Sequence, residues 1–147
     1  MESTGRRELI RIGQLGITFV LESAATGGNL SMFELDVPSR ARVPWPHSHD
    51  AYDETIYGRR GTMTWRVGGD SVQVGAGDVL FIPRGVVHHF HNDGPDASAL
   101  VVITPGLLGP EYFREIAAVV AAGGPPDPNA IAAVMRRHGL TPVLDGH

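Results

Sequence analysis

An all-β domain of short strands, closed by two carboxy-terminal helices, is the fold class the sequence predicts, and three observations predict it. Apolar or alternating runs recur from residue 8 to about residue 103, each bounded by Gly, Pro, Asp or Asn. No helical period separates these runs, so crossover helices of the kind a parallel sheet needs are missing. After Pro105 the composition shifts to alanine-rich segments with helix punctuation.

About eight strands are expected, in "ITFVLES" (17–23), "LSMFELDV" (30–37), "TIYG" (55–58), "TMTWRV" (62–67), "SVQV" (71–74), "DVLFIP" (78–83), "VHHFHN" (87–92) and "SALVVITP" (98–105). Turns such as "GGD" and "GAGD" join them, and regular spacing of this kind fits a β-sandwich or barrel. The amino-terminal "ELIRIG" (8–13) reads as a strand free to pair across a two-fold axis, which points to a homodimer because an open sheet must protect its edges.

In the tail, "GPEYFREIAAVVAAGG" puts Pro110 at a helix start and Gly123 at its end. "DPNAIAAVMRRHG" repeats the pattern with Asp127 as N-cap, Pro128 at the first helical position and Gly139 as terminator. Tyr112, Ile116 and Val119 or Val120 form one apolar stripe, and Ile131, Val134 and Met135 form another; such stripes usually face a core. The division expected is a β-barrel over 8–105 and a short helical extension over 106–147 that packs on it.

Composition removes several function classes. At 147 residues and 15.7 kDa the chain suffices for one domain with an ordinary core, so a metal would serve chemistry sooner than folding. A net charge of -4 provides no basic surface for a phosphate backbone, and nucleic acid is not an expected partner. The absence of cysteine removes disulfides, thiolate ligands, Fe–S clusters and cysteine nucleophiles. All twelve basic residues are arginine, so a lysine Schiff base is removed as well. "MESTGRRELIRIG" lacks the apolar core of a signal peptide, and no apolar run approaches the roughly 20 residues of a membrane span. No membrane association is expected, and the cytoplasm is the expected compartment.

Chemistry concentrates in two windows. In "PHSHDAYDETIYGRRG" (46–61), His47 and His49 stand two apart on an extended segment and point the same way, a two-toothed chelate. Glu54 follows after a reversal and is placed to face the same interior. In "GDVLFIPRGVVHHFHN" (77–92), a turn at Pro83-Arg84-Gly85 leads into a strand with His88 and Phe90 on one face and His89 and His91 on the other. Val86 shares the parity of His88, which marks that face as inward; His89 and His91 are expected to point away. Asp50 and Asp53 read as turn formers. Trp45, Met63, Trp65 and Phe90 read as core or pocket wall, and Arg59 and Arg60 as surface charges.

The order His47-x-His49-x4-Glu54-x6-Gly61 is similar to the first motif of the cupin superfamily, and Gly77-x5-Pro83-x-Gly85-x2-His88-x3-Asn92 resembles the second. One departure is Ala41, where the first motif usually has glycine. The tail, with Tyr112-Phe113 on a helix and a Pro-rich linker, resembles small single-domain bacterial cupins described as quercetinase-like. The resemblance implies a cupin jelly-roll barrel with one divalent metal held by His47, His49, Glu54 and His88. Three imidazoles and a carboxylate without sulfur suit Fe, Mn, Ni, Co, Cu or Zn with open positions for substrate. Such a site supports dioxygenase chemistry on a small aromatic or diketone-type molecule, the activity the resemblance favours, with Glu54 as ligand and proton shuttle. It also supports isomerisation or cyclisation with the metal as Lewis acid, and a non-catalytic binding barrel is the third reading.

Overall fold

The computed structural model describes residues 7–41 and 45–143. Residues 1–6, 42–44 and 144–147, including the last four of the expected extension, lie outside the described residues.

Two antiparallel sheets form the molecule. In chain order the strands are β1 (Leu9–Ile12), β2 (Leu15–Leu21), β3 (Ser31–Val37), β4 (His47–His49), β5 (Asp53–Arg60) and β6 (Met63–Val67). They continue with β7 (Asp70–Val74), β8 (Val79–Ile82), β9 (His88–His91), β10 (Ala97–Thr104) and, after two helices, β11 (Leu140–Pro142). One sheet has the order β1-β2-β3-β10-β5-β8 and the other β11-β4-β9-β6-β7. This is the jelly-roll arrangement expected, although the two sheets share no ladder and so form an open sandwich instead of a closed barrel.

Alternation dictates which faces meet. Strand β3, "SMFELDV", buries every second residue, and β10 likewise turns Ala99, Val101 and Ile103 inward. Val101 stands opposite Ile56 of β5 on one side and Phe33 of β3 on the other, and all three are buried. From the second sheet Met63, Trp65 and Val74 enter the same core. Apolar area removed from water holds the layers together, at roughly 25 cal/mol per Å². Gly61, which closes the first sequence motif, sits at φ +65° where a Cβ would come within 2.4 Å of the Asp96 carbonyl oxygen. Only glycine passes there.

The helices start and stop where the sequence places them. Helix α1 (Pro110–Ala121) begins on its proline. Helix α2 (Pro128–Arg137) begins on another, with the Asp127 carboxylate accepting from the Asn129 backbone N–H at 2.9 Å. Tyr112 and Ile116 of α1, and Ile131, Val134 and Met135 of α2, join the buried cluster of the strands. The sequence reading missed β11. It is three residues long, too short for a periodic signal, yet it pairs along the whole of β4 in the register Leu140↔His49, Thr141↔Ser48, Pro142↔His47.

Candidate metal centre

The two sheets each deliver part of one polar cluster. His47 and His49 alternate with Ser48 on β4, and His47 pairs directly with His88 of β9 across the ladder. Glu54 comes from the other sheet, where it stands between Ile82 and Ile103 on β5 and faces inward. The three imidazole rings pack with centroids 4.6 to 5.1 Å apart. Each offers a nitrogen, and these ligand atoms all lie within 4.8 Å of one another. Glu54 Oε1 lies 3.2 Å from His88 Nε2 and 3.7 Å from His49 Nδ1. His49, Glu54 and His88 are buried, and His47 is half-buried.

Backbone carbonyls orient the rings. His47 Nδ1 bonds to the Trp45 carbonyl at 2.9 Å and His88 Nδ1 to the Val86 carbonyl at 3.0 Å. Each bond makes Nδ1 the donor and leaves the Nε2 lone pair pointing at the cluster, the arrangement found behind metal-bound histidines. His88 Nε2 is buried and makes no hydrogen bond despite its distance from Glu54. A buried acceptor without a partner is costly, and a cation at this point would satisfy it.

Charge follows the same plan. Burial, reinforced by the neighbouring imidazoles, lowers His47 to about 3. Burial likewise lowers His49 to about 4, although the Glu54 carboxylate opposes it. Both rings are therefore neutral at pH 7, the form that binds metal. For His88, burial pulls the value down but the Glu54 carboxylate outweighs it and the net shift is upward. Burial would raise Glu54, yet the imidazoles, His88 first, hold it below the ordinary carboxylate value. An ionised carboxylate beside three imidazoles is a donor set fitted to a divalent transition ion.

Support comes from residues around the cluster, two of them in the second sequence motif and one, Tyr52, that sequence reasoning did not single out. Gly85 sits at φ +84° in the turn before β9, and its N–H donates to the His49 carbonyl at 2.8 Å, tying the two motifs together. Asn92 is buried, donating to the carbonyls of Val37 and Pro95 and accepting from the Gly94 N–H. The Tyr52 ring packs on His49 at 4.6 Å, and its hydroxyl donates to the His138 carbonyl at 2.9 Å, so one buried side chain links a histidine to the tail. An aromatic residue amid the acids of "HDAYDE" was the available signal for Tyr52.

His89 and His91 stay out of the cluster. His91 pairs with Asp93 at 3.2 Å, whereas His89, expected to point away from the interior, is among the residues that line the cavity. Asp53 serves as a turn anchor, accepting from the Arg84 backbone and guanidinium. Asp50 accepts from the Thr141 hydroxyl, another link from the β4 end to the tail. Trp65, Met63 and Phe90 are core and wall, with the Trp65 and Phe90 rings 4.8 Å apart.

The cluster forms the polar end of a cavity that opens to solvent. Its other walls are aliphatic and aromatic side chains from both sheets, together with Tyr112, Phe113 and Ile116 of α1 and Leu140 of β11. Among the described residues no arginine lines it, and the chain has no lysine. A small cluster of donors at one end of an apolar pocket is the usual form of a site for a small organic molecule. No helix of the described residues is long and apolar enough to cross a membrane.

Comparison with known proteins places the chain in context. A family profile for the cupin domain matches residues 33–104. The chain is 31% identical over 91 residues to quercetin 2,3-dioxygenase of Bacillus subtilis, a match covering 62% of this chain but only 26% of that enzyme. Among solved structures it is similar to a predicted oxalate decarboxylase from Thermotoga maritima, with TM-score 0.60, 24% identity and coverage of 67% of this chain and 91% of that one. It is also similar to a sugar phosphate isomerase of the cupin superfamily from Silicibacter pomeroyi, with TM-score 0.57, 19% identity and coverage of 67% and 70%. These structural likenesses concern the fold.

Proposed function

The chain is a small member of the cupin superfamily, and from that premise we propose that it is a metal-dependent oxidoreductase of the mononuclear non-haem dioxygenase type. Its substrate is a small aromatic or diketone-type molecule. One observation carries the reading: three imidazoles, two of them held neutral by burial, and an ionised carboxylate converge at the end of an apolar cavity with no cationic lining among the described residues. Among the described residues a phosphorylated or free-carboxylate substrate would find no arginine partner there, and the chain has no lysine. An apolar molecule with adjacent oxygens finds walls to bury it and donors to hold it. The likeness to quercetin 2,3-dioxygenase supports the same class.

In this reading His47, His49 and His88 hold one divalent ion, Fe, Mn, Ni, Co, Cu or Zn, with Glu54 as the fourth ligand. A redox-active ion bound there supplies reaction with dioxygen on a chelating substrate. The carbonyls of Trp45 and Val86 keep two of the imidazoles aimed. Glu54 takes the proton of an enolic or phenolic hydroxyl on one of its carboxylate oxygens and returns it on product release. The aliphatic walls keep water from the reacting centre.

Oxygen uptake by protein loaded separately with each ion, against flavonols, catechols and β-diketones, tests the reading. At least one ion and substrate class is expected to support uptake, and turnover is expected to stop under anaerobic conditions. Turnover that continues without oxygen would replace the dioxygenase with a Lewis-acid isomerase or cyclase.

A further inference from the structure

Two buried tyrosines flank the histidine cluster, and they differ in one respect. Tyr52 spends its hydroxyl on the His138 carbonyl. Tyr112 is also buried, at 3% exposure, and among the described residues no partner takes a hydrogen bond from its hydroxyl, which is not one of the fully enclosed polar atoms and so keeps some accessible surface. Phenols in such apolar surroundings usually find a hydrogen-bond partner.

The ring of Tyr112 is not free to seek one. It sits edge-on to Phe113 at 4.9 Å and to His138 at 5.5 Å, so its direction is set by packing. It lines the same cavity as His47, His49, Glu54 and His88. Burial, aided by the Glu54 charge, pushes the phenol's pKa upward, so it remains a donor at any physiological pH. Trp65, which also lines the cavity, keeps a buried donor, Nε1, without a partner among the described residues.

We propose that Tyr112, carried by α1 outside both sheets, is a substrate-positioning residue whose phenol donates a hydrogen bond to an oxygen of the bound molecule. The substrate is then a largely apolar, oxygen-bearing compound that one oxygen anchors to the helical tail while others face the histidine cluster. The inference rests on the functional reading above, since it takes the cavity as the substrate site. It assigns the tail a part in choosing the substrate, beyond covering the core.

The test uses zinc-loaded full-length protein, which binds without redox turnover, and two probes of similar shape: 3-hydroxyflavone and the oxygen-free 2-phenylnaphthalene. Tryptophan fluorescence quenching reads both dissociation constants. Tyr112→Phe is expected to weaken 3-hydroxyflavone roughly five- to tenfold and to leave 2-phenylnaphthalene within about twofold. Phe113→Leu, which alters the same wall without a polar atom, is expected to weaken both probes alike, and it guards against a folding defect in the first variant. Equal weakening of both probes by Tyr112→Phe, or no change in either, overturns the proposal, as does a wild type that binds neither probe. Oxygen uptake by the wild type reports on the other reading separately. No uptake with the Tyr112 discrimination intact discards the oxygenase chemistry and keeps the contact; uptake without discrimination does the reverse.

Discussion

The six-stranded sheet and the five-stranded sheet are built on different terms. In the first, β3, β10 and β5 run seven to eight residues each and pair over nearly their whole lengths, with inward positions filled by Phe33, Leu35, Ile56, Val101 and Ile103. In the second, the strand carrying two histidines has three residues and meets β9 through the single pair His47↔His88. What holds β4 in place comes from distant parts of the chain: the Gly85 N–H to the His49 carbonyl, the Tyr52 ring on His49, and the β11 ladder arriving from beyond two helices. The regular sheet supplies stability and carries Glu54, whereas the irregular one positions the three candidate histidines through contacts far apart in sequence.

Substitutions can break this division. Ile56→Ala, at a fully buried position of the regular sheet, is expected to cost about 2 to 5 kcal/mol in denaturant melts. Metal per folded molecule should stay the same, and a loss of metal at unchanged stability would erase the distinction. His47→Ala, His49→Ala and His88→Ala should do the opposite, each losing most bound metal by elemental analysis while keeping the fold. Glu54→Gln should weaken retention or change the preferred ion. His89→Ala and His91→Ala, outside the cluster, should remain loaded.

Smaller changes sharpen it. Ending the chain after Gly139 removes the partner of β4 and is expected to weaken metal binding about tenfold in a competition titration, because supporting contacts set ligand geometry. An unchanged affinity would mean that β9 alone suffices. Tyr52→Phe deletes only the bond to the His138 carbonyl and should cost about 1 kcal/mol of stability.

The sheet edges and the buried imidazoles give two further checks. β1 and β8 are the edges of the six-stranded sheet, and Val79 and Phe81 on β8 are exposed. We propose that the protein is a homodimer that pairs through β1; light scattering is expected to give twice 15.7 kDa, and a monomer mass would remove the idea. In the metal-free protein His47 and His49 titrate at about 3 and about 4, below the ordinary 6.5. Between those values the unfolded chain binds more protons, so stability rises with pH across that window. His88 is shifted upward and contributes in the opposite sense, its stabilisation fading as pH climbs through its folded value. A melting temperature that climbs from about pH 4 to about pH 6.5, and climbs less in His47→Ala, is the expected result.

Much of this was legible in the sequence because it depends on short-range rules. Period-two alternation in "LSMFELDV" and "SALVVITP" defined strands and their inward faces. Proline and aspartate at helix starts, with glycine near the ends, placed both helices to within two residues. His47, His49, Glu54 and His88 stood out because spacing and side-chain type are local facts, and the structure gathers all four at one end of one cavity. What the sequence could not decide is what depends on where the chain returns. β11 is too short to carry a period and forms only because β4 offers an unpaired edge where α2 ends. Tyr112 reads as one residue of an apolar stripe, and only the packing of α1 against the strands makes it part of the cavity wall. The depressed values of His47 and His49 likewise require burial and neighbouring charge, which arise only when both sheets and the tail have come together.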